Sequence, residues 1–153
     1  MLKGKLRLAK PEDIPELAPL VTHFVLTEMT SSGEPDEEVI SETLYGIMTK
    51  SREEGVVVVY EEDSKIGGFV VAVASNSFFS RIRQSTELAF YLKPEYRKSR
   101  AARELLDAYE QWAEQIALVD VVSVGLLNPR VAKLYERKGY SFVESSYIRK
   151  VKR

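Results

Sequence analysis

The stretch "YRKSRAAR", Tyr96–Arg103, places four cations, Arg97, Lys98, Arg100 and Arg103, within seven residues. It follows "ELAFYLKP", which reads as a strand stopped by a proline. It precedes "ELLDAYEQWA", whose apolar residues recur at helical spacing. The first turn of a helix leaves backbone N–H groups without intrahelical partners, and the helix dipole adds positive potential there. Cations and such amides at one point suit a phosphate-bearing ligand. A solvated basic helix end has the same composition, but the position between a strand and an amphipathic helix favours the phosphate. Glu87 opens the preceding strand beside the apolar "LAFYL". Apolar neighbours raise a carboxyl pKa, which suits a proton acceptor acting directly or through water; a solvent-facing strand end is the plainer alternative. The chain has no cysteine, and His23 is its one histidine. Disulfides, thiolate metal sites, a cysteine nucleophile and multi-histidine metal sites are thereby excluded.

The elements that must hold these groups are legible in outline. "KLRLA" alternates as a first strand, and Pro11 opens a helix with Ile14, Leu17, Ala18, Val21, Phe24 and Val25 on one face. Pro35 and Asp36 start a second helix whose inner face would carry Val39, Leu44, Ile47 and Met48. "GVVVVYEEDSKIGGFVVAVA" reads as a hairpin turning at Asp63 and Ser64. After the strand "STELAFYL", Ser99 suits the N-cap of a helix striped with Ala102, Leu105, Leu106, Tyr109, Trp112, Ala113 and Ile116. "LVDVVSVGLL" reads as a continuous buried strand. Asn128 and Pro129 suit the start of a short helix, Gly139 its stop, and "YSFVESSYIRKV" one or two final strands. The order is β-α-α-β-β-β-α-β-α-β, an α/β (mixed α+β) class in one domain over residues 1–153. Glu87 to Leu127 should form a right-handed parallel crossover.

Composition sets the outer limits. With 153 residues, 44% hydrophobic and 29% charged, the sequence is that of an ordinary globular domain. No apolar run is long enough to cross a bilayer, and "MLKGKLRLAK" lacks a signal-peptide core, so a cytoplasmic location is expected. The net charge of −1 conceals an asymmetry: residues 1–80 carry 7 Lys/Arg against 14 Asp/Glu, and residues 81–153 carry 15 against 9. Two ligands of opposite charge would suit such halves, although random drift of surface charge gives the same pattern.

"ELAFYLKPEYRKSRAARELL" and "NPRVAKLYERKGYSFVES", in that order and spacing, resemble the GNAT superfamily of acyl-CoA N-acyltransferases, and the likeness covers essentially the whole chain. The "FFS" loop, the "EQWA" helix and the Tyr-then-Lys ending are similar to those of a compact branch found among phage-encoded and environmental members. The resemblance implies a central mixed sheet of about 6–7 strands flanked by about 4 helices, with splayed parallel strands forming an acetyl-CoA cleft. It implies transfer of an acetyl group from acetyl-CoA to a primary amine, with a homodimer as one form of the assembly.

Carried onto this sequence, the family's phosphate loop falls on Arg97, Lys98, Ser99, Arg100, Ala101 and Ala102. Arg100 stands where the family usually has glycine, a departure bearing on affinity for the diphosphate. Phe90, Tyr91 and Leu92 would offer main-chain groups to the pantetheine arm. Tyr135 matches the acid tyrosine, a phenol able to reprotonate a departing thiolate, although packing with Val131 and Leu134 accounts for it too. Glu87 matches the position of the general base in some members, with His23 as its runner-up. Asn128 is a candidate to hold the cofactor or a water. Phe78 and Phe79 either line the acceptor pocket or cap the core. Glu28, Glu34, Asp36, Glu37 and Glu38 would favour a cationic acceptor, small molecule or protein. A silent domain that binds CoA or a partner is the competing reading. A nucleic-acid contact by "RKSRAAR" is disfavoured by the near-zero net charge and the lack of interleaved stacking aromatics.

Overall fold

The computed structural model describes residues 4–29, 33–125 and 131–152. The element order follows the sequence reading as far as the last helix: β1 Lys5–Leu8, α1 Ile14–Glu28, α2 Glu37–Met48, β2 Gly55–Glu62, β3 Lys65–Asn76, β4 Arg83–Leu92, α3 Ala101–Gln115, β5 Val121–Ser123 and α4 Ala132–Arg137. Single 3-10 turns at Pro11–Asp13 and Pro94–Tyr96 precede α1 and α3.

The sheet runs β1-β2-β3-β4-β5, antiparallel except for the parallel pair β4–β5. β2 and β3 form because β-branched residues dominate both and the two-residue turn can adopt the left-handed backbone that hairpins require, with Asp63 at φ 51° and Ser64 at φ 61°. Alternation along β2 then feeds two cores. Val57 and Val59 join Phe69, Tyr91, Leu17, Phe24 and Ile47 beneath α1 and α2. Val56, Val58 and Tyr60 join Val70, Leu105, Tyr109 and Trp112 beneath α3.

Several expectations are corrected. Five strands, not 6–7, occur among the described residues. The final segment forms none: Phe142, Val143, Tyr147, Ile148 and Val151 are all exposed. Its apolar residues come largely as adjacent pairs, so no single strand register buries them on one face. β5 is short and its Val121 is exposed, because no strand covers its outer edge among the described residues. Asp36 caps α2 as expected, accepting from the Glu38 and Val39 amides, but Val39 faces solvent and Ile40 packs inward instead. Arg100 rather than Ser99 is the N-cap of α3. Phe78 and Phe79 neither line a pocket nor cap the core. They meet edge to face, ring centres 5.2 Å apart, at the tip of the β3–β4 connection, over 90% exposed.

Candidate active site

Two irregularities in β4 make the site. Val71 pairs with Ala89 but Ala72 pairs with Glu87, so Leu88 is an extra residue, a β-bulge. Glu87 and Phe90 are three apart and would face opposite sides of a regular strand. The bulge brings both to the α3 side, where their partners Ala72 and Val70 lie. The second irregularity is the end of the parallel pairing, at Thr86–Ser123. Beyond it β4 stays paired with β3 to Leu92 but has no further strand partner on its other side among the described residues. A buried bond network fixes the end of the β5 pairing: the Ser85 hydroxyl lies 2.9 Å from that of Tyr109, which donates to the Ser123 carbonyl at 2.7 Å.

Beside the end of this pairing lies a cavity of about 380 Å³. β4 contributes Glu87, Phe90, Tyr91 and Leu92 to its wall, the following loop and α3 contribute Arg97 and Ala102, and α4 contributes Tyr135. Val131 and Leu134 give it an apolar side. Desolvation pushes the Glu87 carboxyl up to about 7, partly offset by a hydrogen bond from the Gly125 backbone. Burial also pushes the Tyr135 phenol well above its ordinary range, and the charge of Glu87 adds to the rise. One cavity thus holds a carboxyl poised near neutrality and a phenol that stays protonated, the separation that acid–base pairs require.

α4 is a short helix that needs outside support. Gly139, at φ 92°, turns the chain after it, and Lys138 then pairs with Asp107 and, at 2.7 Å, with Glu110 of α3. The Tyr140 hydroxyl donates to Glu110 at 2.8 Å. These residues, which hold Tyr135 in place, escaped the sequence reading. Their one signal was the pair of acids on α3 lying off its apolar stripe.

The loop before α3 divides its amides. Arg97 N–H donates to Pro94 O, Ser99 N–H to Tyr96 O, and Ala101 N–H to the Ser99 hydroxyl. The amides of Lys98, Arg100 and Ala102 have no partner among the described residues. They lie at the positive end of a fifteen-residue helix, the arrangement an anion needs. Lys98 and Arg100 are exposed beside them, whereas Ala101 is fully buried in the core. Arg97 turns into the cavity. Its Nε donates to Leu92 O at 2.7 Å, its Nη2 lies 3.2 Å from Glu28 Oε1, and its guanidinium sits 5.4 Å over the Tyr91 ring. The carbonyl of Leu92 is therefore already engaged by Arg97. His23 is exposed, edge-on to Tyr91 at 6.0 Å, and is not part of the cavity wall. Asn128 lies outside the described residues.

No curated protein matches the sequence significantly. The structure is similar to a ribosomal-protein-alanine N-acetyltransferase from Brucella melitensis biovar Abortus 2308, with 17% identity, TM-score 0.73, and 98% of this chain and 100% of that one covered. It is also similar to the glucosamine-6-phosphate N-acetyltransferase of Arabidopsis thaliana, with 13% identity, TM-score 0.72, and 99% and 100% covered. The aminoglycoside N-acetyltransferase AAC(6')-Iy in complex with CoA gives 11% identity, TM-score 0.76, and 97% and 94% covered. These likenesses establish a shared fold. Residues 22–140 match the family model described as Acetyltransferase (GNAT) family, and the chain belongs to that family.

Proposed function

We propose that the chain, acting as one domain over residues 1–153, transfers an acetyl group from acetyl-CoA to a primary amine by direct attack. The observation that carries this reading is the Glu87 carboxyl and the Tyr135 phenol lining one cavity beside the unpartnered amides of the α3 start. Acetyl-CoA supplies an activated thioester. The Lys98, Arg100 and Ala102 amides, aided by the exposed Lys98 and Arg100 side chains, would hold its diphosphate. Phe90 and Tyr91, which line the cavity, would offer main-chain groups to its pantetheine arm. Glu87 takes a proton from the acceptor ammonium, directly or through a water. As the new C–N bond forms and the C–S bond breaks, the Tyr135 hydroxyl gives its proton to the departing sulfur, and the second proton lost by the acylated nitrogen restores the phenol, directly or through a water. Its raised pKa makes it a weak acid in bulk terms. Its value lies in placing a hydrogen-bond donor where negative charge develops in an apolar wall.

The acceptor we assign is cationic, because Glu28 and Glu87 are the acids of the cavity. Asp36, Glu37 and Glu38 are explained otherwise, since they cap and begin α2. A cytoplasmic enzyme fits the absence of cysteine, and no helix among the described residues is long and apolar enough to cross a membrane. Arg100 in place of a glycine favours the alternative, a domain that binds CoA without turnover.

Thermal unfolding with acetyl-CoA, combined with thiol release, separates the two. At a hundredfold excess over Kd, acetyl-CoA should stabilise the fold by about 2.7 kcal/mol. Thiol release with spermidine, an aminoglycoside or a lysine peptide, and little with neutral amines, supports the enzyme with a cationic acceptor. Stabilisation with no release from any amine supports the silent binder.

A further inference from the structure

Arg97 and Glu28 join the two sides of the cavity. Glu28 ends α1, while Arg97 begins the loop whose amides would hold the diphosphate, and their side chains meet at 3.2 Å. We propose that this pair is an exchangeable contact coupling the two ligands: diphosphate draws the Arg97 terminus off Glu28, and the released carboxylate receives the acceptor ammonium. The inference rests on the transferase reading given above.

Three features make the exchange feasible. The pair is only partly enclosed, with side chains 42% and 24% exposed, so either partner can be replaced by a ligand charge at modest cost. The Arg97 guanidinium is also held elsewhere, with Nε donating to Leu92 O at 2.7 Å and Cζ lying 5.4 Å over the Tyr91 ring. The 3.2 Å contact to Glu28 can therefore open by a small separation of the two side chains while the guanidinium stays at the cavity. Both groups line the same cavity as Glu87, so a charge freed on either one faces the space where ligands meet. A cationic acceptor competes with Arg97 for Glu28, and an anionic donor competes with Glu28 for Arg97. Each ligand weakens the competitor of the other, so each tightens the other by the same factor.

Calorimetric titration of CoA onto the wild type, Glu28→Gln, Arg97→Gln and the double variant tests this. Glu28→Gln should bind CoA about two- to fivefold more tightly, because Arg97 is released, and Arg97→Gln should bind it more weakly. The double variant should match Arg97→Gln, since the gain passes through Arg97. A gain that persists in the double variant would show a mere change of local field and overturn the exchange, as would no gain in Glu28→Gln. With the amine turned over fastest, KM should rise in Glu28→Gln and fall in Arg97→Gln; a rise in both contradicts the coupling. Absence of CoA binding to the wild type would instead remove the transferase reading itself.

Discussion

Two cavities of nearly equal size teach what marks a site in this molecule. One, of about 380 Å³, lies beside β4 beyond the end of its β5 pairing; the other, of about 410 Å³, lies between the end of β1, the start of β2 and the last turns of α3. The larger exists because the pairing of β1 stops at Val58, leaving Gly55 and Val56 without a neighbour on that side. Its charged lining is Arg7, Lys50 and Arg52, with no acid. Arg7 is saturated, held by Asp13 at 2.7 Å and Glu61 at 2.6 Å, and these contacts raise its own pKa while lowering that of Asp13. Lys50 and Arg52 follow the C-terminus of α2, where cations offset the dipole. The one half-buried charge there, Arg7, is answered by partners, and Lys50 and Arg52 are exposed to water. In the smaller cavity Glu87 has no cation beside it and carries the consequence in its pKa. Size does not separate the two cavities; an uncompensated titratable group does.

The comparison can be broken by activity first. Tyr135→Phe should lower kcat by about 10²-fold or more while the stabilisation by acetyl-CoA stays nearly intact. Lys50→Ala and Arg52→Ala should change kcat by less than about twofold. Equal losses from both cavities would erase the distinction. For the wild type kcat/KM should rise with pH through about 7 as Glu87 deprotonates, and Glu87→Gln should abolish that limb.

Stability gives the next contrast. Glu87 has a raised folded pKa, so its contribution is fully present below 4.5 and is lost as pH rises through about 7. Glu87→Gln should therefore be more stable than the wild type by about 3 kcal/mol at high pH, with no gain in acid. Arg7→Ala should act in the opposite direction, losing about 2 kcal/mol, or roughly 4–8 °C, by leaving Asp13 and Glu61 unpaired. The pKa of Asp13 is lowered below its ordinary 3.8, so that wild-type advantage should fade on acidification below it. CoA affinity should be unaffected by Arg7→Ala.

The sequence shows its elements where local patterns agree with the global fold. The hairpin of β2 and β3, the stripe of α3 and the order of elements through α4 could be read from periodicity and turn residues alone. The site was half legible. As candidates, Glu87 and the loop from Arg97 to Ala102 stood out by type and position and Tyr135 by the family resemblance, but which amides of that loop remain unpartnered depends on turn hydrogen bonds that periodicity cannot show. The inward turn of Arg97 was hidden, because its partner Glu28 lies far off in sequence. The exposure of Val121 and of the final segment was missed for a related reason. Composition reports a taste for strand, and only a neighbouring edge decides whether that taste is met.

Leu88 has a consequence that reaches beyond the reaction. Removing it would leave Glu87, Ala89 and Phe90 on their present faces and would let the ladder close as a regular sheet. Both cores could survive such a deletion untouched, so the shortened protein is expected to be at least as robust as the parent. It would have lost the bend in β4 beside the cavity, and with it the room for any guest.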